Sequence, residues 1–315
     1  MSGSRLKRDE LVEMVFARFW AAARERNSAT IAGVSIPLDE LREEIARQTG
    51  VPRQNNKWIA SQLRSYEKSH GVKLFTFERS SSGSEHVCAA RSMVSFIQKK
   101  HLHRPEKVRL AAALADLLET EFSASGGVTR VLLGAGTTLA LAAEVLRSRA
   151  SQWNTTVSVI THNMGILQEL THRDTPSNLT VTVPRGTFDP VTWALIPEDP
   201  TTLGYEDVDM MVQGTSAVYE GKLYVESHPE ALMKKAMMKH TAGIKVLVLT
   251  LHEFSNEIPK AMHPFGTLQE YDLIIIPLMK HPSSDQLAAL EWIQSTLSSH
   301  VLKIRHWHYE ILVHR

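Results

Sequence analysis

Residues 131–146 read VLLGAGTTLALAAEVL. The apolar run Val131–Leu133 stops at Gly134, Gly136 follows one residue later, and Thr137 and Thr138 open an alanine- and leucine-rich stretch. The pattern predicts a strand that turns tightly into a helix. One reading of the turn is local: glycine supplies backbone angles that other residues avoid, and a threonine caps the helix. The other is chemical, because backbone N–H groups and hydroxyls at a helix start form a cradle for an anion. The sixteen residues alone leave both open.

Outward from this turn the same alternation repeats. EKVRLAAALADLLETEF precedes it as an amphipathic helix. VSVITHN, LTVTVPRG, DVDMMVQG, KVLVLT and YDLIIIP read as short apolar strands. MGILQELTH, HPEALMKKAMMKHTA and SSDQLAALEWIQSTLSS read as helices, and YEGK as a tight turn. Near-continuous apolar strands alternating with helices predict an α/β fold with a mostly parallel sheet covered by helices on both faces. Ligands in such sheets bind where strands end and helices begin. That rule marks Gly134–Thr138, Thr161–Asn163, Gly214–Ser216 and the residues after Thr250.

Residues 1–103 differ in kind from residues 104–315, and the two are expected to be separate domains, which a chain of 315 residues allows. In DELVEMVFARFWAAARER, Leu11, Val15, Phe19 and Ala22 recur at helical spacing beside Val12, Phe16 and Trp20. IPLDELREEIARQTG and NNKWIASQLRSYEKSHG then predict two helices joined by the short turn VPRQ. VKLFTFE and HVCAARS flank RSSSGS as a hairpin. Two helices and a hairpin form the order of a small winged helix-turn-helix domain, whose second helix enters the major groove of double-stranded DNA. Arg53, Gln54, Asn55, Asn56, Lys57, Gln62 and Arg64 on that helix are suited to base edges and phosphates, and Arg79 beside the wing tip to the backbone. The stretch IASQLRSYEKSHGVKLFTFER also resembles the helix-plus-wing segment of LysR- and ModE-type DNA-binding domains.

Charge follows the same division. The net charge of +1 hides 18 Lys/Arg against 11 Asp/Glu in residues 1–105, a net of +7, and 17 against 23 thereafter, a net of −6. A basic first third points to a polyanionic partner. With 43% hydrophobic and 22% charged residues, the composition is that of a folded globular chain and excludes a disordered one. The single cysteine, Cys88, excludes an internal disulfide and a cysteine zinc cluster. No apolar run has the roughly 18 residues of a membrane helix, and the charged start MSGSRLKRDE carries no leader pattern, so a cytoplasmic protein without membrane contact is expected. His306, His308 and His314 in the tail are read as an exposed edge strand with interleaved aromatics and not as a metal site. The lysines of MKKAMMK are read as solvated. No catalytic triad, metal cluster or nucleotide-binding lysine is visible, and neither enzyme activity nor a cofactor is expected.

The order of motifs from Arg104 to about Pro277 resembles the C-terminal sensor domain of the DeoR family of bacterial transcriptional regulators. The stations are the helix from Pro105 to Leu118, G-x-G-T-T, V-x-T-x-N (Val159 to Asn163), D-x-x-x-x-G (Asp209 to Gly214), E-A-x-x-K-x-A-M (Glu230 to Met237) and a final short strand. The resemblance implies a winged-helix regulator, a repressor in the usual case, that is tuned by a small phosphorylated effector, usually a sugar phosphate, and has a fold similar to ribose-5-phosphate isomerase. It assigns Gly134, Gly136, Thr137 and Thr138 to phosphate contacts, Asn163 and Asp209 to sugar hydroxyls, and Gly214 to the same edge. The chain departs from the pattern in two places. Pro184-Arg185-Gly186 stands where a Gly-Gly pair is usual, and Thr250–Phe254 stands where D-x-S-K-F is usual, so that Glu253 replaces a lysine and would oppose phosphate. Arg185 could restore the positive charge. A homo-oligomer is expected, because one winged helix holds a half-site weakly. The alternatives are a sugar-phosphate isomerase using Asp209 and Glu230 as bases, and an interaction scaffold with a vestigial pocket.

Overall fold

A computed structural model describes residues 6–26, 31, 33–50, 55–80, 83–90, 96–122, 128–190, 192–199, 207–254, 262–279, 282, 284–297 and 301–314. The chain divides into two compact units, Met1–Pro105 and Glu106–Arg315. Arg53 and Gln54 lie outside the described residues.

The first unit runs α1 (Arg8–Glu25), β1 (Ser35–Pro37), α2 (Leu38–Thr49), α3 (Asn56–His70), β2 (Phe75–Arg79), β3 (Glu85–Ala89) and α4 (Phe96–Lys99). Helix α2 buries Leu38, Leu41 and Ile45 at helical spacing, starts with Asp39 and Glu40, and ends at Gly50 in the left-handed region. Asn55 caps α3, its side chain accepting from Trp58 N at 2.7 Å, and Gly71 closes the helix in the same left-handed way. Ile59, Leu63 and Tyr66 of α3 are buried. The strands form one antiparallel sheet in the order β1-β3-β2. The rings of Phe16, Phe19 and Phe75 meet in the core, with centroids 5.4–6.4 Å apart.

The second unit runs α5 (Arg104–Phe122), β4 (Val128–Leu133), α6 (Thr137–Ala150), β5 (Thr156–Thr161), α7 (Met164–Leu170), β6 (Leu179–Thr182), β7 (Thr187–Asp189), β8 (Ala194–Ile196), β9 (Met210–Gln213), β10 (Ala217–Tyr219), β11 (Lys222–Val225), α8 (His228–His240), β12 (Ile244–Val248), β13 (His263–Thr267), β14 (Leu273–Pro277), α9 (Ser284–Leu297), β15 (Val301–Arg305) and β16 (Tyr309–His314). An eight-stranded sheet has the order β15-β16-β14-β12-β9-β4-β5-β6. Strands β14, β12, β9, β4, β5 and β6 pair in parallel, and β16 and β15 add an antiparallel edge. The α/β class and mostly parallel sheet are those expected. The tail differs: β16 lies inside the sheet, β15 is the edge, and His306 and His308 fall in the turn between them.

Strands β4, β9, β12 and β14 are apolar along most of their length because both faces are covered. The turn at Glu220-Gly221, with both φ angles positive, closes β10 and β11, which pair with β13 in a small second sheet. β7 and β8 form a separate hairpin, and β8 runs beside the chain that leaves β5. Leu195 N donates to His162 O at 2.8 Å and Met164 N to Trp193 O at 3.0 Å.

Candidate functional site

Strand order positions the site. From β4 the chain moves outward through β5 to β6, then returns to β9 on the other side of β4 and moves outward through β12 and β14. The order therefore reverses between β4 and β9. In open α/β sheets with right-handed crossovers, the helices of the two halves cover opposite faces, and the crevice that takes a ligand is expected beyond the carboxyl ends of the strands at such a reversal, here β4 and β9.

The opening turn sits on that crevice. Gly134 N donates to Val212 O of β9 at 2.9 Å. A Cβ at Gly134 would stand 3.3 Å from that carbonyl, so glycine lets the two strand ends approach. Gly136, at φ +123°, leads into α6, for which no side chain supplies a cap and whose first turn holds no acidic residue. The first amides of a helix have no intrahelical acceptor. They are those of Thr137 and Thr138, the former half-buried and the latter buried.

Asn163 plays a different part from the one expected. Its amide donates to Gly136 O at 2.9 Å and Gly134 O at 3.4 Å, while its oxygen accepts from Gly165 N at 2.9 Å. It is 1% exposed and holds the turn in shape, with its polar atoms already engaged.

Across the crevice, Gly214 O accepts a hydrogen bond from Lys234 Nζ at 2.7 Å. Lys234 comes from α8 and is 1% exposed, which corrects the expectation of a solvated lysine. Its ammonium lies 3.7 Å from Glu230 and 5.1 Å from the centre of the Phe265 ring. Burial pushes its pKa down, and Glu230 and Glu253 resist. His162, just past β5, is also 1% exposed, and neither ring nitrogen has a partner among the described residues. Burial, and then the Lys234 charge, lower its pKa to about 3.

Glu253 closes a capping box with Thr250 after β12. Burial raises its pKa to about 8 against the pull of the Thr250 hydrogen bonds and Lys107. A raised pKa lessens the charge with which Glu253 would oppose phosphate.

Of two further expected ligand groups, one stands at the opposite edge of the sheet and the other at the rim of the carboxyl edge. Asp209 precedes β9 and so lies at the amino edge of the sheet, about 16 Å from Gly214 at ~3.3 Å per residue. There it accepts from Arg130 N at 2.8 Å. Parallel strands put all their beginnings on one edge, so Asp209 cannot reach a ligand held at their ends. Arg185 is exposed on the loop after β6, two strands from β4 and thus about 10 Å away. It lines a groove of about 660 Å³ with Ile160, Thr182, Gly186, Thr187 and Glu198.

In the first unit, Asn55 at the cap of α3 and Lys57 and Arg64 on the helix are exposed. The oxygen of Asn55 is taken by its cap, Asn56 donates to Asp39 at 3.2 Å, and Gln62 accepts from Arg8 at 3.4 Å. Arg64 lies 4.5 Å over the Phe77 ring, and Arg79 pairs with Glu85 at 3.3 Å. Lys57, Ser61, Arg64 and Lys68 form one exposed stripe opposite Ile59, Leu63 and Tyr66. Lys68, His162 and Lys234 are the residues that sequence reasoning missed. For Lys234 a signal existed: it shares a helix face with Met233, Met237 and Glu230.

The family model of the DeoR C-terminal sensor domain matches residues 102–276, more than half of the chain. The chain belongs to this family. The sensor domain thus spans α5 to β14 and contains the crevice and every residue described around it. No curated protein matches the chain. Among solved structures it is similar to ribose 5-phosphate isomerase A from Methanocaldococcus jannaschii, with 14% identity over 66% of this chain and 79% of that one and a TM-score of 0.33. A probable sor operon regulator from Shigella flexneri is 9% identical over 49% and 76%, with a TM-score of 0.33. The protein eIF2B delta from Chaetomium thermophilum is 12% identical over 81% and 68%, with a TM-score of 0.36. Likenesses this distant say nothing of what this chain binds. Among the described residues, no helix is long and apolar enough to cross a membrane.

Proposed function

We propose that this protein is a DNA-binding transcriptional regulator whose sensor domain binds a small phosphorylated metabolite. The observation that carries the reading is the reversal of strand order between β4 and β9, with the uncapped start of α6 following one strand end and Gly214, bonded to the buried Lys234, following the other. The phosphate rests on the amides of Gly136, Thr137 and Thr138 and on the two hydroxyls. The helix dipole adds up to about 1–2 kcal/mol in so sheltered a place. Gly134 and Gly214 keep the floor of the crevice clear of side chains. Arg185 supplies a second positive charge from the rim. Asp209 has no part in the site, which also deprives an isomerase of one of its two bases.

The first unit binds double-stranded DNA. The order helix, strand, two helices and hairpin is that of a winged helix, and the stripe of Lys57, Ser61, Arg64 and Lys68 supports α3 as the groove helix. The chain acts as a homo-oligomer, so that two such helices engage two half-sites, and the effector shifts the balance between conformers that space them differently.

A thermal-shift screen of the full chain with ribose 5-phosphate, glucose 6-phosphate and inorganic phosphate tests the sensor. Ligand at a hundred times its Kd stabilises the fold by about 2.7 kcal/mol. Thr137→Val is expected to abolish the shift, and a shift that survives it removes the α6 site. Duplex binding that does not weaken with added salt would remove the DNA reading.

A further inference from the structure

His162 remains unexplained by phosphate binding. Its imidazole is buried, and both ring nitrogens lack partners among the described residues. Buried polar atoms are nearly always hydrogen-bonded, so a ring with two open nitrogens calls for a missing partner. A neutral imidazole offers one donor and one acceptor on opposite sides.

The surroundings narrow what that partner is. Side chains alternate along β5 and its extension, where Asn163 bridges to Ala194, so His162 shares a face with Ile160 and not with Thr161 or Asn163. Asn163 serves the α6 turn on one face. His162 faces the other, where it feels the charge of Lys234. Ile160, two residues back on the same face, lines the groove that Arg185, Thr187 and Glu198 enclose. Its volume of about 660 Å³ is that of a small-molecule pocket, typically about 300–1,000 Å³. The β7–β8 hairpin touches both: Thr187 of β7 lines the groove, and Leu195 N of β8 donates to His162 O at 2.8 Å. The hairpin is a short two-stranded element with Thr187 and Phe188 exposed, a kind of structure that opens at low cost.

We infer that His162 is the residue by which this site tells a phosphorylated sugar from bare phosphate: with strand β8 lifted, its two nitrogens take neighbouring hydroxyls of the sugar, one as donor and one as acceptor. The inference rests on the phosphate site proposed above and adds the specificity that the site lacks, since amides and a helix dipole hold any phosphate alike. Two adjacent hydroxyls supply both an acceptor and a donor, which a second anionic group does not. Lys234 is already bonded to Gly214 and faces Glu230, so the crevice does not demand another anion.

Calorimetric titration of the full chain with ribose 5-phosphate, glucose 6-phosphate and inorganic phosphate tests this. The wild-type protein is expected to prefer at least one sugar phosphate over inorganic phosphate by tenfold or more. His162→Phe is expected to lose about tenfold, or ~1.4 kcal/mol, for that sugar phosphate and nothing for inorganic phosphate. Its ligand-free melting temperature should not fall, because unpaired polar atoms leave a buried place. His162→Asn, which keeps a donor and an acceptor, should retain most of the preference, and this variant decides the matter if the phenylalanine variant fails to fold. An undiminished preference in His162→Phe, or an equal loss in His162→Asn, overturns the role of His162 and leaves the phosphate site standing. Failure of the wild-type protein to bind any of the three overturns both.

Discussion

The two edges of the large sheet use the same residue types in opposite ways. At the amino edge, Asp209 accepts from Arg130 N and Asp272 accepts from Lys245 N, both at 2.8 Å. Each carboxylate braces the start of a neighbouring strand, stays exposed, and spends its charge on a backbone amide. At the carboxyl edge, Lys234 and His162 are buried, burial pushes the Glu253 pKa up to about 8, and the start of α6 is uncapped. Polar groups that are exposed and satisfied hold strands together. Buried groups with shifted pKa values, and among them a His162 ring without partners among the described residues, are what a ligand site at this edge would use. The parallel arrangement makes the division possible, because it collects all strand ends on one side.

The sharpest way to break this comparison is to remove the cation from the carboxyl edge. Lys234→Met strips Glu230 of its ammonium in a buried place, and such losses cost about 3–5 kcal/mol. Urea unfolding should show a deficit of that size, and Lys234→Met with Glu230→Gln should recover a large part of it. If the single variant is as stable as wild type, the pair is not buried in the sense argued, and the edges do not differ.

Protonation sharpens it next. Glu253 titrates near 8 when folded, well above the ordinary value near 4.5 that it regains on unfolding. Between these values the unfolded chain releases a proton that the folded chain keeps, so stability declines as pH rises from about 4.5 to 8 and is flat for this group outside that window. With the partial cover of the residue, about 2 kcal/mol of this decline is expected to vanish in Glu253→Gln, read by chemical unfolding at pH 5 and pH 8. Sugar-phosphate affinity should likewise fall above pH 8 in the wild-type protein and stay level in the variant, because the ionised carboxylate would oppose the anion. His162 works in the other direction. It stays neutral when folded and protonates near 6.5 when unfolded, so its contribution is lost on acidification below 6.5.

Much of the sheet was legible because its strands are uninterrupted apolar runs: Val131–Leu133, Val246–Val248 and Ile274–Ile276 cannot be satisfied on a surface. The hairpin β7–β8 was not, since three-residue strands such as Thr187–Asp189 show neither a run nor an alternation. Strand order was also hidden, and with it the error over Asp209. The motif D-x-x-x-x-G places an aspartate five residues before Gly214, but only the extended backbone of β9 shows that the interval spans the sheet from one edge to the other. Lys234 and Lys235 look alike in sequence. The helix turns one inward beside Met233 and Met237 and leaves the other exposed. His162 was passed over because Thr161 and Asn163 on either side matched a motif, and a buried orphan nitrogen has no signature in one dimension.

Smaller effects refine the crevice itself. Gly134→Ala places a methyl 3.3 Å from Val212 O and 3.7 Å from Met237 Cε, so the β4 and β9 ends must part by a few tenths of an ångström. A loss of about 1 kcal/mol is expected from the strain, together with weaker phosphate binding, and an unaltered affinity would mean that the spacing of the two strand ends does not matter to the anion.

The smallest expected effect carries the comparison furthest. Asp209→Asn replaces a charged acceptor with a neutral one at an exposed edge and should cost less than about 1 kcal/mol. Sugar-phosphate affinity should not change at all, because the residue stands a full strand length from the crevice. Measured side by side with Thr137→Val, the two variants separate edge from edge: both touch a residue of an expected ligand motif, but only the threonine lies where the strands end. A loss of binding in Asp209→Asn with stability intact would place the ligand at the amino edge, where open parallel sheets do not bind ligands, and the strand reversal between β4 and β9 would then no longer locate the site.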